Sequence, residues 1–186
     1  MSQQELYESL QYVDHTRDKR TEMAKKVLMN PDLIPPLLEI INLTKDPISC
    51  KACWILEAVV RKKLNVILPY LDSFTEIIGK VELDSAVRPV AKVCELLMER
   101  YFSKKVIYMQ QQITEAHLEK VTTACFDWLI GEHKVAAKAY SMTSLYLLGT
   151  KYPWIHPELK LVLEQHYSNE SAAYQARARM VLKKII

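Results

Sequence analysis

Glycine is almost missing from this chain, with three residues in 186 where average usage would supply about 13. That scarcity disfavours a sheet protein rich in tight hairpins and suits helices joined by short turns. Long apolar runs are missing too: no window offers 18 uninterrupted apolar residues, so no membrane span is expected. The chain opens Met1, Ser2, Gln3, Gln4, Glu5, without a basic stretch leading into an apolar one, so no signal peptide is expected either. The histidines (His15, His117, His133, His156, His166) include no pair at i, i+4, and Cys50 and Cys53 form a lone Cys-x-x-Cys. A zinc site needs more ligands at such spacings, so neither a metal nor a cofactor is expected. Nor does one charge sign prevail: a net charge of +3 permits a local basic patch without marking a nucleic-acid binder.

What is present describes a folded protein. Hydrophobic residues make up 49% and charged residues 25%, which argues against disorder, and the length suits one domain with its own core. Cys50, Cys53, Cys94 and Cys125 lie within apolar helical patterns. Free buried thiols in a reducing cytoplasm are the simplest reading.

Helix punctuation recurs along the chain. Ser2 and Glu5 stand at capping-box spacing ahead of Leu6, Leu10, Val13, Met23 and Val27. One long helix or two, with a break near His15 to Asp18, would fill the segment to Met29. Asn30-Pro31 ends it, because a residue before proline disfavours helical geometry. A first helix is expected from about Pro31 to Leu43, and Asp46-Pro47 opens its partner. Asn65 opens a third helix and Asp84 a fourth. A linker follows around Lys104 to Ile113. Thr114 opens a fifth helix ending near Gly131, and a sixth ends near Gly149. Trp154 to Tyr167 and Glu170 to Ile186 form the last pair. Gly79, Gly131 and Gly149 all fall at expected helix ends, where left-handed geometry favours glycine.

The second helices share a pattern. DSAVRPVAKVCELL sets Asp84, Val87, Arg88, Ala91 and Cys94 in a spacing of aspartate, valine-arginine, small, small. DPISCKACWILE gives Asp46, Ile48, Ala52, Ile55 and Leu56, the same layout with the aspartate one residue closer. HKVAAKAYSMTSL offers Val135, Ala139 and Met142, and NESAAYQARARMVL offers Ala172, Ala176 and Met180. The intervals are 39 residues (Ile48 to Val87), 48 (to Val135) and 37 (to Ala172), close to the ~40–47 of HEAT or armadillo units. The motif around Asp84 resembles the second helix of a HEAT repeat. The resemblance covers roughly Pro31 to Ile186. It implies an all-α, α-α superhelix (a HEAT-like solenoid) of about four to five helix pairs in a single domain over 1–186. Residues 1–30 would cap it, 31–103 would hold the first two repeats and 114–186 the last two. In such stacks the equivalent aspartate and arginine often form a ladder between repeats, which implies a structural role for Asp84 and Arg88. These two also face each other at i, i+4.

Few residues suggest chemistry. Cys50-x-x-Cys53 lacks the surrounding βαβ pattern of a redox motif. Some HEAT-like solenoids are DNA glycosylases for alkylated bases, using a carboxylate beside aromatic side chains in a basic cleft. Asp127-Trp128 invites that comparison, but no catalytic motif matches, and Trp128 follows Ala124 and Cys125 as a core stripe would. Adenylosuccinate lyase, a longer enzyme with a serine-containing mobile loop, finds no counterpart signature here. Basic residues recur at second-helix ends: Arg61, Lys62, Lys63; Arg100, Lys104, Lys105; Lys151; Lys183, Lys184. Cations there complement the negative helix C-termini. Lined up along one edge, they would also attract an acidic protein or nucleic acid. The expected function is therefore a non-enzymatic interaction module that binds a protein partner through a helical-repeat face. The alternative is a nucleic-acid-acting solenoid of the alkyl-base glycosylase kind.

Overall fold

A computed structural model describes residues 1–103 and 107–185. Helix accounts for 81% of the described residues, and no strand occurs among them. No described helix is long and apolar enough to cross a membrane. Eleven α-helices are described: α1 Gln3–Gln11, α2 Arg17–Met29, α3 Ile34–Ile41, α4 Pro47–Lys62, α5 Leu71–Ile78, α6 Asp84–Tyr101, α7 Ile107–Gln112, α8 Glu115–Ile130, α9 Val135–Gly149, α10 Ile155–His166 and α11 Ala172–Ile185. Two compact units result, Met1–Val93 and Cys94–Ile186, with the division inside α6.

The cap residues act as their types suggest. The Ser2 hydroxyl accepts from the Glu5 N–H, and Glu5 accepts from the Ser2 N–H at 2.7 Å. Asp46 uses both carboxylate oxygens: one caps α4 at the Ile48 N–H (2.9 Å), the other accepts from the Tyr7 hydroxyl (2.7 Å). Thr114 caps α8, and the Nδ1 of His117 takes the glutamate role by accepting from the Thr114 N–H at 3.1 Å.

Of the two readings of the N-terminal segment, two helices are observed, with the break over 12–16, a few residues earlier than expected. Three expectations are corrected. Asn65 does not open an α-helix. Leu64–Tyr70 winds as a 3-10 helix and α5 starts only at Leu71, because Pro69 supplies no N–H for an α-type bond. The linker after Ser103 contains the short helix α7, built on Ile107–Gln112. No glycine takes a left-handed conformation. Gly79 (φ −72°) and Gly131 (φ −67°) sit at helix ends with ordinary angles, and Gly149 is required for a different reason. A Cβ there would collide with the His156 ring, which stacks on Tyr146 and donates from Nε2 to the Tyr146 carbonyl at 2.8 Å.

In the first unit α2 and α3 pack on α4, and Leu37, Ile41, Ile55 and Leu56 are buried. Helix α6 meets α4 at constant register. Trp54 Nε1 donates to the Ser85 carbonyl at 2.8 Å, and Glu57 pairs with Arg88 at 3.0 Å, each 31 residues apart. A constant offset means that the two helices run parallel. Pro89 lies inside α6, and its missing N–H would leave the carbonyl four residues earlier without a helical partner. That carbonyl is Ser85's, the one Trp54 reaches.

In the second unit α9 packs against α8, α10 and α11. Glu115, at the start of α8, meets Lys151 and Tyr152 just past the end of α9, so α8 and α9 are antiparallel. Lys138 and Thr143 of α9 meet Glu170 and Arg177 beside and within α11, so α9 and α11 run parallel. In both units the parallel helices start 37 residues apart, Pro47 to Asp84 and Val135 to Ala172.

Candidate functional site

The cysteines are buried and free. Burial pushes the Cys50 thiol up, lifts those of Cys53 and Cys94 well up, and raises Cys125 to about 12. Thiols held protonated in this way are poor nucleophiles at neutral pH. Among the described residues no group of three or more His, Cys, Asp or Glu side chains could hold a metal ion.

The basic helix ends differ in how far their charges are engaged. Arg61 pairs with Glu57 across one turn at 2.8 Å, while Lys62 and Lys63 are exposed. Glu57, only 8% exposed, is thus clamped between Arg61 of its own helix and Arg88 of α6. Asp84 is the first residue of α6, and the Leu83 carbonyl ahead of it accepts from Ala86 and Val87. In the second unit three helix ends converge. Lys151, after α9, donates to the hydroxyl of Tyr101 at the end of α6 (3.1 Å), and Lys184 of α11 lies 5.3 Å from the ring centre of Tyr146 in α9. Arg100 and Lys183 are exposed there. Lys104 and Lys105 lie outside the described residues.

Lys151 belongs to a polar network. Its ammonium pairs with Glu115 at 2.5 Å, and the Tyr152 hydroxyl donates to the other carboxylate oxygen. Lys151, and after it Tyr152, holds the Glu115 carboxyl below its ordinary range. Glu115 in turn, with Tyr101, raises the Lys151 ammonium, and burial together with Glu115 raises Tyr152 to about 12. Beside this network opens a groove of about 380 Å³ lined by Glu115, Glu119, Thr122, Thr123, Tyr152 and Trp154. Trp154 is 56% exposed and stacks on Phe126, with ring centres 6.0 Å apart and planes 21° apart.

No family model, no curated protein and no solved structure matches the chain. Its site must be read from its own residues.

A second groove, about 740 Å³, lies between α1 and α2. Its charges are largely engaged with each other or with near neighbours: Lys26 with Glu22, Lys19 with Asp14, and Glu8 with the Gln4 amide. Asp127 is exposed while Trp128 is buried among core side chains, so these two do not line a common cleft. The groove at Trp154 was not foreseen from sequence. Its parts come from the start of α8 and the turn after α9, some 36 residues apart, and only the presence of an unburied tryptophan at a helix start could have hinted at it.

Proposed function

We propose that this chain is a non-enzymatic interaction module, a HEAT-like stack of about four to five helix pairs that binds a protein partner through a helical-repeat face. One observation carries the reading: both units pack two second helices in parallel with starts 37 residues apart, each pair tied by a largely buried ion pair. Equal spacing and the same parallel sense in two units are what repetition of one supersecondary motif produces. Arg88 is then a ladder residue, with Glu57 of the preceding second helix as its partner. Buried, protonated thiols suit a scaffold working in a reducing cytoplasm. The converging ends of α6, α9 and α11 provide a basic edge, and Lys151 within it is neutralised locally.

The test is crosslinking and capture from an extract of the native cell, with the wild-type chain and a Lys183→Glu/Lys184→Glu variant, beside a gel-shift assay on duplex DNA carrying an alkylated base. A protein retained in stoichiometric amount supports the module. Salt-dependent binding and base release from the DNA, with no protein retained, would overturn it in favour of the glycosylase reading.

A further inference from the structure

We propose that the groove at Trp154 receives a lysine- or arginine-bearing peptide segment of a partner protein, with the cation over the indole and paired to Glu119. This rests on the reading of the chain as a protein-binding module.

The argument turns on which groups in the groove are already engaged. Every hydroxyl lining it donates elsewhere: Tyr152 to Glu115, Thr122 to the Leu118 carbonyl at 2.8 Å, and Thr123 to the Glu119 carbonyl at 3.1 Å. Both carboxylate oxygens of Glu115 are taken, by Lys151 and Tyr152. What the lining still offers is the exposed carboxylate of Glu119, hydroxyl lone pairs, the face of Trp154 and, as one donor, its indole N–H. Apart from that one N–H the free groups are acceptors, and the only formal charge among them is the Glu119 carboxylate, so the site complements a cationic group that only donates. Lys and Arg are such groups. Phe126 backs the indole, and a supported aromatic face attracts a cation through its quadrupole. An exposed tryptophan is also the residue type most enriched among interface anchors. Asp127 on α8 and Glu158 on α10 are exposed as well, which extends the negative potential beyond the groove and favours encounter with a basic segment.

The full chain, labelled with ¹⁵N, is titrated with a tri-arginine peptide blocked at both ends and with its tri-citrulline counterpart, which keeps the planar group without the charge. The indole resonance of Trp154, assigned with Trp154→Phe, is the readout. The proposal expects a saturable shift with the arginine peptide and at least about tenfold weaker binding of the citrulline peptide. Glu119→Gln should weaken binding about fivefold or more, whereas Glu132→Gln, an exposed carboxylate in the turn after α8 that does not line the groove, should leave it within about twofold. Absence of a saturable shift, equal binding of the two peptides, or equal damage by both substitutions would each overturn it. Failure here with partner capture intact in Trp154→Ala would sink the groove and leave the module standing. Failure of capture as well would remove both.

Discussion

In Met1–Val93 the parallel helices α4 and α6 are tied through a buried carboxylate, Glu57, whereas in Cys94–Ile186 α9 is tied to the start of α11 through a buried ammonium, Lys138. Glu57 is 8% exposed and has two cations, Arg61 and Arg88, whose side chains are 46% and 33% exposed. Lys138 is 7% exposed, pairs with Glu170 at 2.5 Å, and lies 5.8 Å from the ring centre of Tyr174. The first joint is redundant and its cations stay partly hydrated. In the second, one carboxylate carries the pairing. Since an ion left unpaired in the interior keeps its desolvation penalty without the compensating attraction, the two joints should respond unequally to deletion.

The largest expected effect is therefore Glu170→Ala. It strands Lys138 against Tyr174 and should lower stability by about 3 kcal/mol, read from denaturant midpoints at fixed slope. The double variant Lys138→Met/Glu170→Gln, which removes both charges, should recover most of that loss. If the double variant is no better than Glu170→Ala, the stranded charge is not the cause.

The glycines sharpen the same contrast. Gly149→Ala pushes a methyl group into the His156 ring and should cost about 2 kcal/mol, with partial rescue by His156→Ala. Gly79 has an ordinary φ and no atom within 4 Å of an added Cβ. Gly79→Ala should instead stabilise by about 0.4–1 kcal/mol through the unfolded chain. Melting temperatures moving the same way for both would contradict the packing account.

Arg88→Ala comes next. It leaves Glu57 with Arg61 alone, so the expected loss is about 1–2 kcal/mol, while Lys62→Ala, at an exposed position, should stay within about 0.5 kcal/mol. Equal unfolding midpoints would remove Arg88 from the scaffold, and lost partner binding at unchanged stability would move it to the interface.

Local signals carried much of this fold in the sequence. Ser2, Asp46 and Thr114 cap the helices they precede, and the three glycines sit at helix ends, because capping and chain reversal depend on a few neighbouring residues. None of these glycines is left-handed, and Gly149 is set by His156, a contact made by folding and invisible to local patterning. The same limit explains Arg88. Its i, i+4 neighbour Asp84 and the pair Glu57–Arg61 are readable along one helix, but the approach of Glu57 to Arg88 across 31 residues depends on how α6 slides along α4. The groove at Trp154 was illegible for that reason too, since Phe126, Glu119 and Trp154 come together only once α8 and the α9–α10 turn have packed.

The smallest expected effect tests the other link between α4 and α6. Pro89 leaves the Ser85 carbonyl without its helical donor, and the Trp54 indole occupies it at 2.8 Å. Ser85 is exposed, so water can replace the indole, and Trp54→Phe should cost only about 1 kcal/mol through this bond. The substitution also trims a half-buried ring on which Arg20 rests, at 6.0 Å from its centre, so the single variant cannot assign the loss. A double-mutant cycle can. Pro89→Ala restores an N–H that competes for the same carbonyl, and whatever cavity it leaves is common to both arms of the cycle. If Trp54 is held by the proline's missing donor, Trp54→Phe should cost about 0.5–1 kcal/mol less in the Pro89→Ala background than in the wild type. Additive losses would mean that Trp54 stabilises the first unit by packing alone, and that Glu57–Arg88 is what fixes the register of α6 on α4.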